Sequence, residues 1–560
     1  MASNMRTGGQ VLIDQLVLQG VDTVFCVPGE SYLAALDAFY NVREQIQLIS
    51  CRHEASAANM AEAYGKLTGK PGICFVTRGP GAAHALVGLH TAFQDSTPLI
   101  LFVGQIAREM TEREAFQEMD FRRLFSECSK WAAQIEDPAR IPELVSQGFH
   151  RATSGRPGPV VLALPEDMLV EEIGVSDAPA HAVVRPAPRP QDMERLREML
   201  AAAERPILIL GGSTWSAQGT DDIARFAKAN GLPVVCAFRN QDRFDNHDPH
   251  YVGELGIAPN PKLLARLKAS DLLLVVGPRI GEMTSQGYTL LDIPTPQIPM
   301  VHVHAGADEL GRVYRADLMI NAGMDEFAAA ATALAPVDGA RWADERAAAR
   351  AEYEANLEIE ASVGSIDMAH VIAVLRERLP KDTIIANDAG NSAGWAHRYL
   401  PFSCYPSQLG PTSGAMGYCL PAAIAAARVF PERVTIGFAG DGAFMMSAAE
   451  IATAVQYGLK PIILLVNNGS YGTIRMHQER EYPDRVISTE LANPDFKAFV
   501  ASFGAHAESV GHNEEFAPAL ERSLAAGRCA VIEIRQDVDA ITTRTTLNAI
   551  REAALKRQAN

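Results

Sequence analysis

The residues whose types and spacing could do chemistry are most legible between Gly440 and Asn468. The segment opens Gly440-Asp441-Gly442 and closes Asn467-Asn468. A β-rich stretch, Arg433 to Ala439, precedes it. A helical pattern from Ser447 to Gly458 follows, and a second apolar run, Pro461 to Val466, leads into the asparagines. This pattern predicts a β-α-β unit. A right-handed crossover returns the chain to the same edge of a parallel sheet, so Asp441 and Asn468 are expected to meet there. A carboxylate, an amide oxygen and a backbone carbonyl suit Mg²⁺, which takes few protein oxygens and completes its shell with phosphate and water. Glycines let the backbone approach a phosphate, and a helix N-terminus favours its charge. Together these residues predict a metal-bridged diphosphate. The plainer alternative is an ordinary crossover whose Asp and Asn serve as turn residues.

The full arrangement resembles the thiamine-diphosphate (ThDP) binding motif, Gly-Asp-Gly followed at fixed distance by Asn-Asn. That chemistry needs a second carboxyl group, poorly solvated, to exchange a proton with N1′ of the aminopyrimidine. The imino nitrogen so favoured removes the proton from C2 of the thiazolium, which then attacks a carbonyl and serves as electron sink. Cys51-Arg52-His53-Glu54-Ala55 places a Glu just after a strand and at the start of a helix. It is similar to the Arg-His-Glu-Ala segment of the acetolactate-synthase-like ThDP enzymes, where that Glu is the activator. Alone, a first-turn Glu is simply what a helix dipole favours; the downstream motif gives Glu54 its catalytic reading.

The resemblance to this family covers nearly the whole chain. Val27-Pro28-Gly29-Glu30 resembles the glycine loop near the thiazolium, and Arg78-Gly79-Pro80-Gly81-Ala82 the glycine turn after the third strand. Ala115-Phe116-Gln117-Glu118 resembles a segment that places a Phe and a Gln on the substrate side. Ser129-Lys130-Trp131 is similar to the family's Thr-Lys-Trp, which adds Lys130 to the catalytic candidates with Gly29, Phe116 and Gln117. Ala389-Gly390-Asn391-Ser392 occupies the place of a diphosphate contact. Gly414-Ala415-Met416-Gly417-Tyr418 is similar to Gly-Thr-Met-Gly-Tyr, where a bulky apolar residue, here Met416, bends the cofactor and the carbonyl at Gly414 accepts from its amino group. The resemblance implies a metal set of Asp441, Asn468 and the Ser470 carbonyl. It also implies cofactor contacts at Gly440, Gly442, Ala443, Tyr471, Gly472 and Thr473. It further implies a homodimer or homotetramer with sites at the subunit interface.

The elements that must position these groups fall into three α/β regions. The expected fold is three Rossmann-like, doubly wound parallel-sheet domains: pyrimidine-binding at 1–180, central at 191–340 and diphosphate-binding at 365–545. In the first, near-continuous apolar strands at Thr23–Val27, Ile46–Ser50, Gly72–Val76 and Pro98–Val103 alternate with helical patterns such as Ala55–Thr68, which argues for a sheet covered on both faces. Residues 178–190 read as an extended Pro/Ala linker. In the second, Pro206–Gly212 and Asp271–Gly277 are strands, but Gly211-Gly212-Ser213 lacks a full dinucleotide fingerprint. Residues 341–363 read as a helix, and 545–560 as a polar helix or tail. Fifty basic against 67 acidic residues, a net charge of −17, disfavour a nucleic-acid partner. No apolar run is long enough to span a membrane, and no apolar signal region follows Met1. Eight cysteines lack any Cys-x-x-Cys pair, so the expectation is a cytoplasmic chain with buried thiols at Cys26, Cys74 and Cys236.

Two departures bear on function. Biosynthetic acetolactate synthases carry a Met and, four positions on, a Trp just past Asn-Asn; here Thr473 and His477 stand there, which predicts a pocket for a more polar acceptor than 2-oxobutyrate. Pro278 to Thr284 lacks the acidic-aromatic signature of the FAD-binding members, so FAD is not expected. The expected reaction is ThDP- and Mg²⁺-dependent carboligation or decarboxylation of a small-molecule 2-oxo acid, acetolactate synthase first. A decarboxylase or an acyloin, diketone or aldehyde lyase comes next. Glu54 argues against a glyoxylate carboligase, where the resemblance leads one to expect an apolar residue. A flavin-dependent oxidoreductase would need the missing fingerprint, and a mere cofactor carrier would have no use for Glu54.

Overall fold

In a computed structural model, residues 5–559 are described. They form two compact units, one up to Val184 and one from Arg185 onward. The first holds a six-stranded parallel sheet: β1 (Thr23–Cys26), β2 (Gln47–Ser50), β3 (Gly72–Val76), β4 (Leu99–Gln105), β5 (Trp131–Gln134) and β6 (Pro159–Pro165), in spatial order β2-β1-β3-β4-β6-β5. Every residue of β3, β4 and β6 is buried. This is what helices on both faces of a parallel sheet require, and it explains the unbroken apolar runs. The strand order reverses beside β1, so the loops after β1, β2 and β3 converge at one end.

Two helices frame that end. The first, α1 (Glu54–Thr68), begins where His53 is extended and its Nδ1 accepts from the Ala55 N–H at 3.1 Å, and it ends at Gly69 with φ 69°. The second, α2 (Gly79–Asp95), follows β3 directly. The helices approach so closely that a Cβ on Gly88 would lie 2.5 Å from the Ala58 Cβ and 2.6 Å from its carbonyl carbon. Only glycine fits there, and the buried alanines of α1 keep its side chains short enough for the crossing.

The second unit carries two more six-stranded parallel sheets. The central one has β7 (Pro206–Leu210), β8 (Val234–Ala237), β9 (Tyr251–Leu255), β10 (Leu272–Val276), β11 (Met300–His304) and β12 (Leu318–Asn321), in order β9-β8-β7-β10-β11-β12. The charged helix expected after it is α3 (Ala343–Asn356). The last sheet has β13 (Ile384–Asn387), β14 (Gln408–Leu409), β15 (Thr435–Gly440), β16 (Ile462–Asn467), β17 (His506–Val510) and β18 (Ala530–Arg535), in order β14-β13-β15-β16-β18-β17. The three-sheet α/β reading of the sequence thus stands. No helix among the described residues is long and apolar enough to cross a membrane, and Cys26, Cys74 and Cys236 are buried thiols.

One expectation needs correction. The crossover from β15 to β16 is not one helix over 447–458. A short α4 (Asp441–Met445) starts at Asp441 itself, a 3-10 turn spans Ala448–Glu450, and α5 (Ile451–Gln456) follows. Ser447, at φ −133°, leaves helical geometry and breaks the run. Beginning at Asp441 puts that carboxylate in the first turn, where free N–H groups gather. The loop after β16 runs into α6 (Gly472–Glu481), against which the C-terminal helix α7 (Leu547–Ala559) lies through Arg551, whose guanidinium donates to Glu479 at 2.6 Å.

Candidate active site

In the first unit the converging loops bring together Gly29, Glu54, the turn at Gly79–Gly81 and Gln117. Gly29 follows β1, and a Cβ on it would lie 2.4 Å from the Thr77 Cβ, so its glycine is explained by that approach. Gln117 holds φ +66°, and its carbonyl accepts from the Gly79 N–H at 3.1 Å, which pins the loop after β4 onto the glycine turn. Phe116 beside it is 75% exposed. The Glu54 side chain is 13% exposed. Its Oε2 meets His84 Nδ1 at 2.9 Å, and Oε1 faces Gly81, where a Cβ would lie 3.4 Å away. The His53 and His84 rings stack with centroids 4.6 Å apart. Ligand atoms of His53, Glu54 and His84 lie within 4.8 Å of one another. Burial holds the His53 imidazole below its ordinary range, helped by His84 and opposed by Glu54. His84 was not singled out in the sequence; its signal was an imidazole in the second turn of the helix after the glycine turn.

Lys130 does not belong to this cluster. It precedes β5, and in a parallel sheet that is the opposite edge from the loop carrying Glu54. Its ammonium donates to the Ser154 carbonyl at 2.6 Å. Burial lowers it to about 8, with Arg156 and Arg151 nearby. The Ser-Lys-Trp segment thus stands at a strand entry, apart from the loops that hold Glu54.

The second unit assembles a cluster of its own at the ends of β13, β15 and β16. Asp441 is 2% exposed. Its Oδ1 accepts from the Gly442 N–H at 3.0 Å, and its Oδ2 from Asn493 Nδ2 at 2.7 Å. The same Asn493 amide donates to Asn467 Oδ1 at 2.9 Å. Asn493 thus ties the two strand ends together, a role with no local sequence signal because it lies beyond α6. Burial raises the Asp441 carboxyl, opposed by hydrogen bonds from the Asn493 amide and from backbone N–H groups. A buried carboxylate so placed suits a divalent ion. Asn468 Oδ1 accepts from the Ser470 N–H at 3.1 Å. The Ser470 hydroxyl donates to the Thr489 carbonyl, so the backbone of that turn is held by neighbours on two sides. Gly442 is forced by Tyr471, whose ring atom Cε1 would lie 2.4 Å from a Cβ there. Ala443, the next residue of α4, is buried.

The loop after β13 is held to the same cluster. The Asn391 N–H donates to the Thr473 hydroxyl at 3.0 Å, and that hydroxyl donates to Asn391 Oδ1 at 3.1 Å. The Thr473 hydroxyl is therefore engaged with Asn391. Ser392 lies next to Gly440, its Oγ 3.7 Å from where a Cβ would stand. His477, farther along α6, is exposed. Met416, 40% exposed, sits in a turn between Gly414 and Gly417, both at positive φ. The base of that turn is Asp388, whose carboxylate accepts from the Tyr418 N–H at 3.2 Å and from Cys419. Burial raises Asp388 to about 6 against those backbone donors. Arg239 from the central sheet donates to the Asp388 and Pro411 carbonyls at 2.9 and 2.7 Å. Neither Asp388 nor Arg239 was singled out in the sequence, because their work is to hold loop backbone.

Comparison with known proteins gives this geometry a family. Residues 6–124 match the family described as thiamine pyrophosphate enzyme, N-terminal TPP binding domain. Residues 193–331 match its central domain, and residues 388–534 its C-terminal TPP binding domain. The acetolactate synthase large subunit of Parasynechococcus marenigrum is 31% identical over 93% of this chain and 85% of its own. The acetolactate synthase isozyme 2 large subunit of Escherichia coli is 29% identical over 92% and 93%. The corresponding large subunit of Lactococcus lactis is 28% identical over 89% and 87%.

Proposed function

The chain belongs to the thiamine pyrophosphate enzymes and is acetolactate synthase-like, and from that premise we propose that it is a Mg²⁺-dependent carboligase acting on 2-oxo acids, with pyruvate as donor. The observation that carries the reading is the pair of carboxylates in different settings. Glu54 is lodged at a helix start beside two imidazoles, and Asp441 is buried with its carboxyl oxygens facing the Asn493 amide and the Gly442 N–H. In this reading Asp441, Asn468 and the Ser470 carbonyl hold the metal, and Gly440, Gly442 and Asn391 lie along the diphosphate. Bound there, thiamine diphosphate supplies a nucleophilic carbon and an electron sink for breaking the carboxyl bond of a 2-oxo acid. Glu54 holds and returns a proton at one carboxyl oxygen, Met416 sets the shape of the bound cofactor, and Gln117 orients the substrate. The divisions 1–180, 191–340 and 365–545 serve as pyrimidine, central and diphosphate domains. We propose a homodimer or homotetramer, each cofactor served by Glu54 of one subunit and Asp441 of another.

The flavin-dependent alternative finds no support in the comparisons. The second reading, a lyase for a more polar acceptor, now rests on the exposed His477 imidazole alone, since the Thr473 hydroxyl is engaged. Turnover of pyruvate with thiamine diphosphate and Mg²⁺, followed by NMR, tests the proposal. Acetolactate supports it. Acetaldehyde alone replaces it with a decarboxylase. Cofactor binding without pyruvate consumption overturns the choice of donor and directs the search to polar 2-oxo acids, acyloins and diketones.

A further inference from the structure

The contact between Glu54 and His84 follows from how two helices cross. Gly88 of α2 lies directly on Ala58 of α1. One helical turn earlier on each helix are His84 and Glu54, so the same close approach that demands glycine at 88 brings an imidazole to a carboxylate. The observed 2.9 Å between His84 Nδ1 and Glu54 Oε2 is that register made visible. A carboxylate oxygen accepts, so the pairing requires the ring proton on Nδ1. The His53 ring, fixed by accepting the Ala55 N–H, stacks on His84 and limits its rotation.

Resting on the role of Glu54 in the proposed function, we propose that His84 is the positioning residue for Glu54. Its Nδ1–H holds Oε2, fixes the carboxylate plane, and leaves Oε1, beside Gly81, as the oxygen that exchanges a proton with the cofactor ring. A hydrogen bond to a charged partner is both stronger and more directional than a neutral one. A flexible Glu without it would present either oxygen and lose alignment with the ring nitrogen. The other titratable groups acting on Glu54 are His53 on its own helix cap, Tyr32 on the segment after β1 and Cys74 on β3. Burial pushes Tyr32 and Cys74 well up, so they stay neutral through the working range, and of these three groups His53 is the one whose titration competes.

The pairing is tested first without cofactor. In protein labelled with ¹⁵N at histidine, nitrogen shifts at alkaline pH should report an Nδ1-protonated His84 ring in the wild type. The Glu54→Ala variant should revert to the Nε2-protonated form that free imidazole favours. An unchanged ring in Glu54→Ala overturns the pairing. With cofactor, His84→Leu should lower turnover roughly ten- to hundredfold, the size of a lost hydrogen bond to a charged group. It should also move the acid limb of the pH–rate profile upward by about one unit. His84→Asn, which keeps an N–H donor, should recover most of the rate, and His53→Asn, which keeps a cap acceptor, should leave the acid limb in place. If Glu54→Gln is inactive while His84→Leu matches the wild type in rate and profile, the positioning role falls and the proposed function stands. If Glu54→Gln itself retains full turnover, the proposed function falls.

Discussion

Replacing Asp441 by asparagine separates what the fold needs from what the ligand needs. The side chains are isosteric, so the Asp441→Asn variant keeps an oxygen for the Gly442 N–H and loses the acceptor facing Asn493, now donor against donor across a 2.7 Å contact. Losing one such bond costs about 1 kcal/mol. Against this, the variant no longer buries a carboxylate whose burial raises its pKa. The two effects nearly cancel, and stability without ligand should change by less than about 1 kcal/mol. The ligand-bound protein behaves differently. At a concentration one hundred times Kd, a ligand stabilises by about 2.7 kcal/mol, and a hundredfold weaker Kd at the same concentration leaves about 0.4 kcal/mol. Urea unfolding with and without thiamine diphosphate and Mg²⁺ therefore reads the effect directly: a similar midpoint for both apoproteins, and a ligand-induced gain of about 2.7 kcal/mol in the wild type against about 0.4 kcal/mol in the variant. An Asp441→Asn protein that keeps the full gain would refute the placement of the metal at Asp441. One that unfolds far more readily without ligand would show that the carboxylate is structural.

Three further outcomes follow from contacts in the second unit. Gly442→Ala places a methyl 2.4 Å from the Tyr471 ring and should cost about 1–3 kcal/mol in unfolding; Tyr471→Ala should remove most of that penalty in a double-mutant cycle, and strict additivity would contradict the close approach. Thr473→Val leaves the Asn391 N–H and amide oxygen without their hydroxyl partner, which should cost about 1–3 kcal/mol and weaken cofactor binding in a titration. Thr473→Ser should restore both. Glu479 is held down at about 2, chiefly by Arg551. A lowered carboxylate contributes stability above its ordinary value of 4.5, and that contribution is lost as pH falls through about 2. Hydrogen exchange should accordingly show α7 loosening between pH 4.5 and pH 2 in the wild type, and already loosened at neutral pH in Arg551→Leu.

What was legible in the sequence was what the local pattern dictates. The β3 run reads Gly72–Val76 in both sequence and structure because a strand buried on both faces has no polar position to blur its ends. The two strand ends that carry Asp441 and the Asn467-Asn468 pair could be placed at one edge of the sheet because a right-handed crossover has one outcome. The broken crossover helix was not legible: residues 447–458 keep a helical apolar period, and the break at Ser447 lies in backbone geometry that the period does not encode. That Lys130 lies apart from the Glu54 cluster was not legible, because a tripeptide resemblance says nothing about which end of a strand it occupies. Asn493, Asp388 and Arg239 were missed for a common reason. Each acts on groups distant in the chain, Asn493 on two strand-end side chains and the other two on loop backbone, and such contacts exist only once the sheets are formed. His84 was within reach, since the glycine turn and α2 were both recognised, but its register against Glu54 depends on the depth of the crossing at Gly88.

The account stands most directly on Glu54 acting on the cofactor and not merely holding it. Glu54→Gln tests this when cofactor binding by calorimetry and pyruvate turnover are measured on the same protein. The expected result is Mg²⁺-dependent binding within about tenfold of wild type and turnover reduced by roughly 10²- to 10⁴-fold, the contribution of one positioned acid–base group. Wild-type turnover in the Gln variant would contradict the account.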